Sequence, residues 1–283
     1  MDEGPESAEP GGELDNLAPP DENAVVAAAG RQQRDTRMGF ARMFATVIFV
    51  VALPVAIVTT NIRLLANAPF VYDYAFDRYN AEDATGLSRE DLDATGRELR
   101  RYFNNGETTF YHQVTEGGLP VSVFNAQETR HLEDVKDVFG WMNRVQELTV
   151  VYVLAYVAAF FIWARDGSLR QLAGQSLAGL ALGLVAVAGV GIVAAVGFDA
   201  AWERFHSVLF TNDLWRLDPR TDRLIQMFPE PFWRDATLFL AAMCALEAFL
   251  IAAVSAVYLM GTRGERTRLV ASVDVAPSRT QAA

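Results

Sequence analysis

Residues 124–164 read FNAQETRHLEDVKDVFGWMNRVQELTVVYVLAYVAAFFIWA, and this passage decides the fold. Its second half, Val145–Ala164, is long and apolar enough to cross a hydrocarbon layer of about 30 Å as a helix. Its first half is charged. Asn125-x-x-Glu128 has the form of a capping box, in which the cap side chain takes a first-turn N–H and the carboxylate reaches back to the cap. Leu132, Val135, Val138, Phe139 and Met142 follow at helical spacing, so one helix runs from the box, past His131, into the membrane. Glu128 and Asp134 stand three residues either side of His131, a separation that makes neighbours on a helix. Either carboxylate is expected to orient the imidazole.

Three further stretches qualify as spans: Met38–Thr60, Leu172–Gly197 and Ala236–Met260. The chain therefore reads as an all-α polytopic membrane protein with four transmembrane helices. The 51% hydrophobic content over 283 residues averages apolar blocks with charged connections. Gly179-x-x-x-Gly183 reads as a close helix contact, because small residues let helices approach in lipid. Ala66-x-Ala68 resembles a cleavage site, but the first apolar run exceeds a signal-peptide core and follows a long acidic tail, so it reads as an uncleaved span.

Arginines set the expected orientation. Arg31, Arg34 and Arg37 precede the first span, Arg165 and Arg170 occupy the short second-to-third connection, and Arg263, Arg266 and Arg268 follow the last. With four spans these groups share one side, which the positive-inside rule makes cytoplasmic. Both termini are then cytoplasmic, and segments 61–144 and 198–235 face outward. Residues 1–37 form an acidic tail and 261–283 a second tail; their Pro, Gly and polar content predicts disorder.

A net charge of −11 argues against nucleic acid as a partner. One cysteine, Cys244, lies in an apolar run, so no disulfide or thiol pair forms within the chain and the residue reads as a small core or lipid-facing group. No Gly-rich loop points to a nucleotide, no Gly-x-Ser-x-Gly elbow to a serine hydrolase, and no cofactor is expected.

In the first outward segment, Ser88-x-x-Asp91 starts a helix whose stripe is Leu92, Leu99, Tyr102 and Phe103, and Asn104-Asn105-Gly106 stops it. Gly117-Gly118-Leu119-Pro120 marks a turn between expected strands at 108–114 and 120–124. The second outward segment carries Glu203 three residues before His206, a turn at Asp218-Pro219-Arg220-Thr221, a short helix to Phe228, and Phe232 with Trp233 at the entry to the last span.

The chain has three histidines. His112 has no acidic neighbours and reads as structural. His131 and His206 both fall at the outer interface with a carboxylate at i−3, and a neutral imidazole suits proton transfer near neutral pH. A zinc site competes for the same residues, but no His-x-x-x-His or Cys-x-x-Cys spacing fixes ligands. Among the outer cations Arg216, between Trp215 and Leu217, is the candidate for substrate contact.

Phe124-Asn125-x-x-Glu128-x-x-His131-x-x-Asp134-Val135-Lys136-x-x-Phe139 forms one motif. Phe205-His206-x-x-x-Phe210, Asn212-Asp213-x-Trp215-x-Leu217-Asp218-Pro219 and Leu224-Ile225-x-Met227-Phe228-Pro229 form a second. Together they resemble the four-span bacterial membrane proteins that include the lipoprotein intramolecular transacylase, over about residues 38–260. The resemblance implies a bacterial cytoplasmic membrane location and an outer-leaflet site. It implies a diacylated lipoprotein substrate, whose sn-2 acyl chain moves to the α-amine of the N-terminal cysteine, and contact with membrane lipid. His131 and His206 match the family's functional histidines, with His131 as expected base and His206 orienting substrate or returning the proton. Gln127 and Leu132 depart from the family pattern, which often has arginine and methionine there. Two other readings stay open: a non-catalytic lipid- or partner-binding membrane protein, and a metal-dependent lipid hydrolase.

Overall fold

The computed structural model describes residues 22–162 and 168–274, with side-chain surroundings for 36–162, 168–193 and 196–262. The chain divides near Val47, and the packing below concerns residues from Ile48 onward. The elements are α1 (Glu22–Asn67), α2 (Pro69–Arg78), α3 (Ala81–Thr85), α4 (Arg89–Tyr102), β1 (Gln113–Glu116), β2 (Leu119–Ser122), α5 (Ala126–Ile162), α6 (Ser168–Leu209), α7 (Arg223–Met227) and α8 (Glu230–Asp274).

Four helices are long and apolar enough to cross a membrane: Thr36–Asn67, Ala126–Ile162, Ser168–Val193 and Glu230–Thr262. All four stretches read from hydropathy overlap these helices, with Trp163 and Ala164 of the second lying outside the described residues. Their outward faces are apolar, as Val151, Val185 and Val254 show by their exposure. Such faces suit lipid, and a helix satisfies its own backbone polar groups there. In α5 the apolar stretch begins at Val145; the preceding turns carry Glu128, Arg130, Glu133, Asp134, Lys136 and Asp137, a charge density that hydrocarbon does not solvate.

α1 and α8 run further than the spans read from sequence. α1 begins at Glu22, inside the stretch expected to be a tail, and α8 continues to Asp274. The expected tails before residue 22 and after 274, and Arg165, lie outside the described residues, as do the side chains of Arg31, Arg34, Arg263, Arg266 and Arg268.

Between the spans, Phe49, Leu53, Leu172 and Leu180 form a small core against Tyr152, Tyr156 and Ile251. Phe49 stacks on Tyr156 at 4.4 Å. Asn61, fully buried in α1, donates from Nδ2 to Glu247 Oε2 of α8 at 3.0 Å and lies 3.8 Å from Cys244 Sγ. Arg63 pairs with Glu147 of α5 at 3.1 Å.

The larger core lies outside the apolar stretches. It gathers Phe76 from α2, Leu92, Leu99 and Tyr102 from α4, Val114 and Phe124 around the hairpin, Leu132 from α5, and Met227, Phe228 and Phe232 from segment 198–235. Segments 61–144 and 198–235 thus fold as one body. Ser88 caps α4 by accepting the Asp91 N–H at 3.2 Å, as its sequence predicts. The strands differ from expectation: β1 and β2 pair Gln113 with Ser122, and residues 108–112 are not strand. Gly117 and Gly118 form the reversal with φ of +58° and +83°, both in the region a tight two-residue hairpin turn requires.

α6 and α1 meet at the glycine pair. A Cβ on Gly179 would lie 2.9 Å from the Val50 carbonyl oxygen, and one on Gly183 would lie 2.8 Å from Pro54 Cβ. Neither backbone nor a proline ring can yield cheaply. Gly183→Val is therefore expected to destabilise the protein by about 1–3 kcal/mol, read as a lower melting temperature in detergent. Gly174→Ala, at a position with open space, is expected to melt like wild type.

Candidate functional site

The first turn of α5 is built by its capping box. Asn125 Oδ1 accepts the N–H groups of Gln127 at 2.8 Å and Glu128 at 3.0 Å, and Glu128 Oε2 accepts the Asn125 N–H at 2.7 Å. The other carboxylate oxygen, Oε1, accepts the Leu224 N–H at the start of α7 at 2.6 Å. Glu128 is 1% exposed, and burial pushes its carboxyl above the usual carboxylate range while the two N–H donors pull it back. Asn125 Nδ2 donates to Asp222 Oδ1 at 3.0 Å, adding a second tie to the same turn.

One turn further, His131 meets His206 from the last turn of α6. Their ring centroids lie 6.0 Å apart at 39°, and each residue is 7% exposed. Phe210 closes the pair, 5.2 Å from His131 and 5.7 Å from His206. His206 Nδ1 lies 2.8 Å from the Trp202 carbonyl oxygen. A carbonyl only accepts, so Nδ1 carries the hydrogen of the neutral ring and Nε2 keeps the free lone pair. Trp215 stacks on His206 at 5.0 Å and 27°, and the Trp202 indole meets it edge-on at 4.5 Å. Trp202 in turn stacks on Trp233 at 5.1 Å. His131 Nδ1 is buried without a hydrogen-bond partner among the described residues.

Both imidazoles are pushed toward the neutral form. Burial lowers His131 to about 4, with the His206 charge acting the same way and Asp134 opposing. Burial also lowers His206, against the Trp202 carbonyl.

The carboxylates expected to orient these rings have other partners. Glu128 is spent on two backbone N–H groups, and Asp134 Oδ2 accepts from Asn212 Nδ2 at 2.9 Å. Glu203 pairs with Arg216 at 3.3 Å, and His206 is held instead by the carbonyl one turn back. Spacing on a helix makes such contacts reachable, but N–H groups at two helix starts take the Glu128 oxygens, and the Asn212 and Arg216 side chains take those of Asp134 and Glu203. Arg216 also pairs with Asp213 at 3.1 Å, lies 4.4 Å over the Trp215 ring, and keeps about half of its side chain exposed. His112 packs beside Phe110 on the hairpin side. Among the described residues no three His, Cys, Asp or Glu side chains converge as a metal's ligand set would. Trp202, Trp215 and Phe210 escaped sequence reasoning as site residues. Trp215 and Phe210 stood in the quoted motifs, whereas nothing local distinguishes Trp202 except its place one turn before His206.

Comparison with known proteins agrees with the fold. The family model described as lipoprotein intramolecular transacylase Lit matches residues 47–233. A protein of Aquifex aeolicus (strain VF5), described as uncharacterized, is 26% identical over 215 residues, 74% of this chain and 92% of that protein. The solved structure of the membrane integral lipoprotein intramolecular transacylase Lit from Bacillus cereus has a TM-score of 0.66 at 18% identity, covering 80% of this chain and 99% of that one. A variant of it with one histidine replaced by arginine gives 0.64 at 17% identity, over 84% and 99% of the two chains. The shared fold makes this chain a multi-pass integral membrane protein with four spans.

The lowered His131 pKa has a stability consequence. The unfolded imidazole takes its proton near 6.5 and the folded one near 4, so stability is fully present above about 6.5 and is lost as pH falls through that window. His131→Gln removes this term. The variant's melting temperature is expected to fall less than that of wild type between pH 6.5 and 4, a difference on the order of 3 kcal/mol at the acid end. Equal losses in parallel thermal scans would contradict the burial of a neutral ring.

Proposed function

This chain belongs to the family of the lipoprotein intramolecular transacylase Lit, and from that premise we propose that it transfers an acyl chain within a diacylated bacterial lipoprotein. The chain would leave the sn-2 ester of the diacylglyceryl group for the α-amine of the N-terminal cysteine, giving a lyso-form lipoprotein. The observation that carries the proposal is the buried pair of neutral imidazoles, 6.0 Å between centroids, contributed by two separate segments.

The free α-amine has a pKa near 8 and must lose a proton to complete its attack. His206 Nε2 is the base: its other nitrogen donates to the Trp202 carbonyl, which keeps the lone pair on the nitrogen left open. The sequence favoured His131 for this role; the hydrogen bond supports His206. In His131 the buried, unpartnered Nδ1 is better tolerated as a lone pair than as an orphaned N–H, so its hydrogen belongs on Nε2. That N–H is a donor for the developing oxyanion.

The amine nitrogen attacks the ester carbonyl carbon and its proton passes to His206. The tetrahedral intermediate collapses, the C–O bond to the glycerol breaks, and His206 returns the proton to the leaving oxygen. One amide and one hydroxyl replace one amine and one ester. Amine and ester belong to one molecule, so alignment takes the place of a protein nucleophile. The lowered pKa of His206 makes its imidazolium a ready proton donor in the second half of the reaction. The arginine distribution supports cytoplasmic termini and a site at the outer face of the bacterial cytoplasmic membrane, with acyl chains in lipid between spans.

Mass spectrometry of N-terminal lipopeptides tests this, in a host that makes diacylated lipoproteins. Wild type is expected to move an acyl chain to the cysteine amine. His131→Ala and His206→Ala, at matched membrane levels, are each expected to slow the transfer by about a hundredfold or more. Unchanged diacyl lipopeptides with folded wild-type protein would reject the transfer. Release of free fatty acid instead would identify a hydrolase.

A further inference from the structure

Positions 127, 131 and 134 share one face of α5, because residues four and seven apart line up on a helix. The structure uses all three toward the second outward segment. His131 meets His206. The Gln127 amide nitrogen donates to two carbonyl oxygens, those of Leu214 at 3.2 Å and Arg216 at 3.0 Å. Asp134 accepts from Asn212 at 2.9 Å, and Asn212 Oδ1 accepts the Leu214 N–H at 3.0 Å. The loop is thus held to α5 on both sides of His131. The residue between the two clamped carbonyls is Trp215, and its indole stacks on His206.

We propose that Gln127 is a positioning residue: by holding the carbonyls on either side of Trp215, it sets the indole against His206 and so fixes that ring relative to His131. The proposal rests on the acyl-transfer reading above. Its physical basis is the donor count. A side-chain amide has two N–H hydrogens, one for each carbonyl. The bond from Nδ1 to the Trp202 carbonyl pins one atom of the His206 ring; a stack on the ring face pins its plane. Both are needed to aim Nε2, because transfer between aligned groups is steeply sensitive to small displacements. Gln127 touches neither imidazole and acts through Trp215. The charged groups around this assembly are Arg216 over the indole, with its partners Glu203 and Asp213, and Asp134 on the α5 side.

Full-length protein in phosphatidylglycerol–phosphatidylethanolamine nanodiscs, with Gln127→Ala, Gln127→Glu and Gln127→Arg, tests the proposal. Two readouts are used: transfer kinetics on a synthetic diacyl lipopeptide, and the titration midpoint of His206 by nitrogen-15 NMR. Glutamate keeps the shape but presents only acceptors to two carbonyls. Arginine presents several N–H donors in a planar fork. Alanine and glutamate are expected to lower kcat by about tenfold or more with KM little changed, and to move the His206 midpoint up toward that of a solvated ring. Arginine is expected to retain most of both properties. The proposal is overturned if alanine and glutamate variants transfer at the wild-type rate, or if they lose activity only in step with folded protein while the His206 midpoint stays put. If wild type transfers no acyl chain, the acyl-transfer reading fails, and the His206 midpoint alone still decides whether Gln127 positions the ring.

Discussion

The buried carboxylate of Glu128 joins the two segments that bring the histidines together. One of its oxygens completes the cap of α5, and the other takes the Leu224 N–H in the first turn of α7. Helix starts leave N–H groups without partners, and a single carboxylate here serves two of them. A carboxylate placed where water is excluded is costly unless its oxygens are occupied, and both are. Around this joint the aromatic and aliphatic side chains of segments 61–144 and 198–235 close into one core. Leu132 ties α5 into that core, and the hydrogen bonds of Gln127 and Asp134 hold the 210–217 loop to the same helix.

The membrane-spanning helices solve a different problem. Their outward faces need only be apolar, and their contacts rest on a few close approaches, such as the two α6 glycines against Val50 and Pro54. Burial among them is sparse because lipid does much of the solvating. The geometry of the site therefore depends on the outer body. Two of the span helices carry the histidines themselves: α5 holds His131 just past its cap, and α6 reaches His206 beyond its break at Gly197.

What could be read in the sequence follows from the range of each signal. The four spans, the Ser88 cap, the capping box at Asn125 and the glycine contact are local or periodic patterns, and all are present in the structure. The common interface of His131 and His206 pointed to a shared role, and the structure brings the rings within 6.0 Å of each other. Apart from the Glu128 bond back to the Asn125 N–H, the partners of the carboxylates were not legible. Glu128, Asp134 and Glu203 have near neighbours at helical spacing, yet each bonds to a group brought in by tertiary folding. Strand limits shifted for a similar reason: the register is set by the Gly117–Gly118 reversal, and residues 108–112 bend away into the core through Phe110. The departure at Gln127 was visible, but its bonds to Leu214 and Arg216 were not, since those carbonyls lie 87 and 89 residues away.

Burying two imidazoles side by side has a cost that illuminates the site. Each charge would disfavour the other, and desolvation disfavours both, so the pair rests neutral at neutral pH. A lone solvated histidine would be a better base in the ground state. Yet the same environment that weakens His206 as a base strengthens its imidazolium as an acid, and the proposed intramolecular acyl transfer would ask one group to do both in turn. A base that held its proton too firmly would stall at the tetrahedral stage, where the glycerol oxygen must be protonated as it leaves. The reacting amine supplies the opposite half of the balance, because its acidity rises sharply as its nitrogen bonds to the carbonyl carbon. Proton transfer to a weak base then becomes favourable only as the bond forms. On this reasoning the desolvated pair is matched to the intermediate more closely than to the bound substrate, which is the condition for catalysis by differential binding.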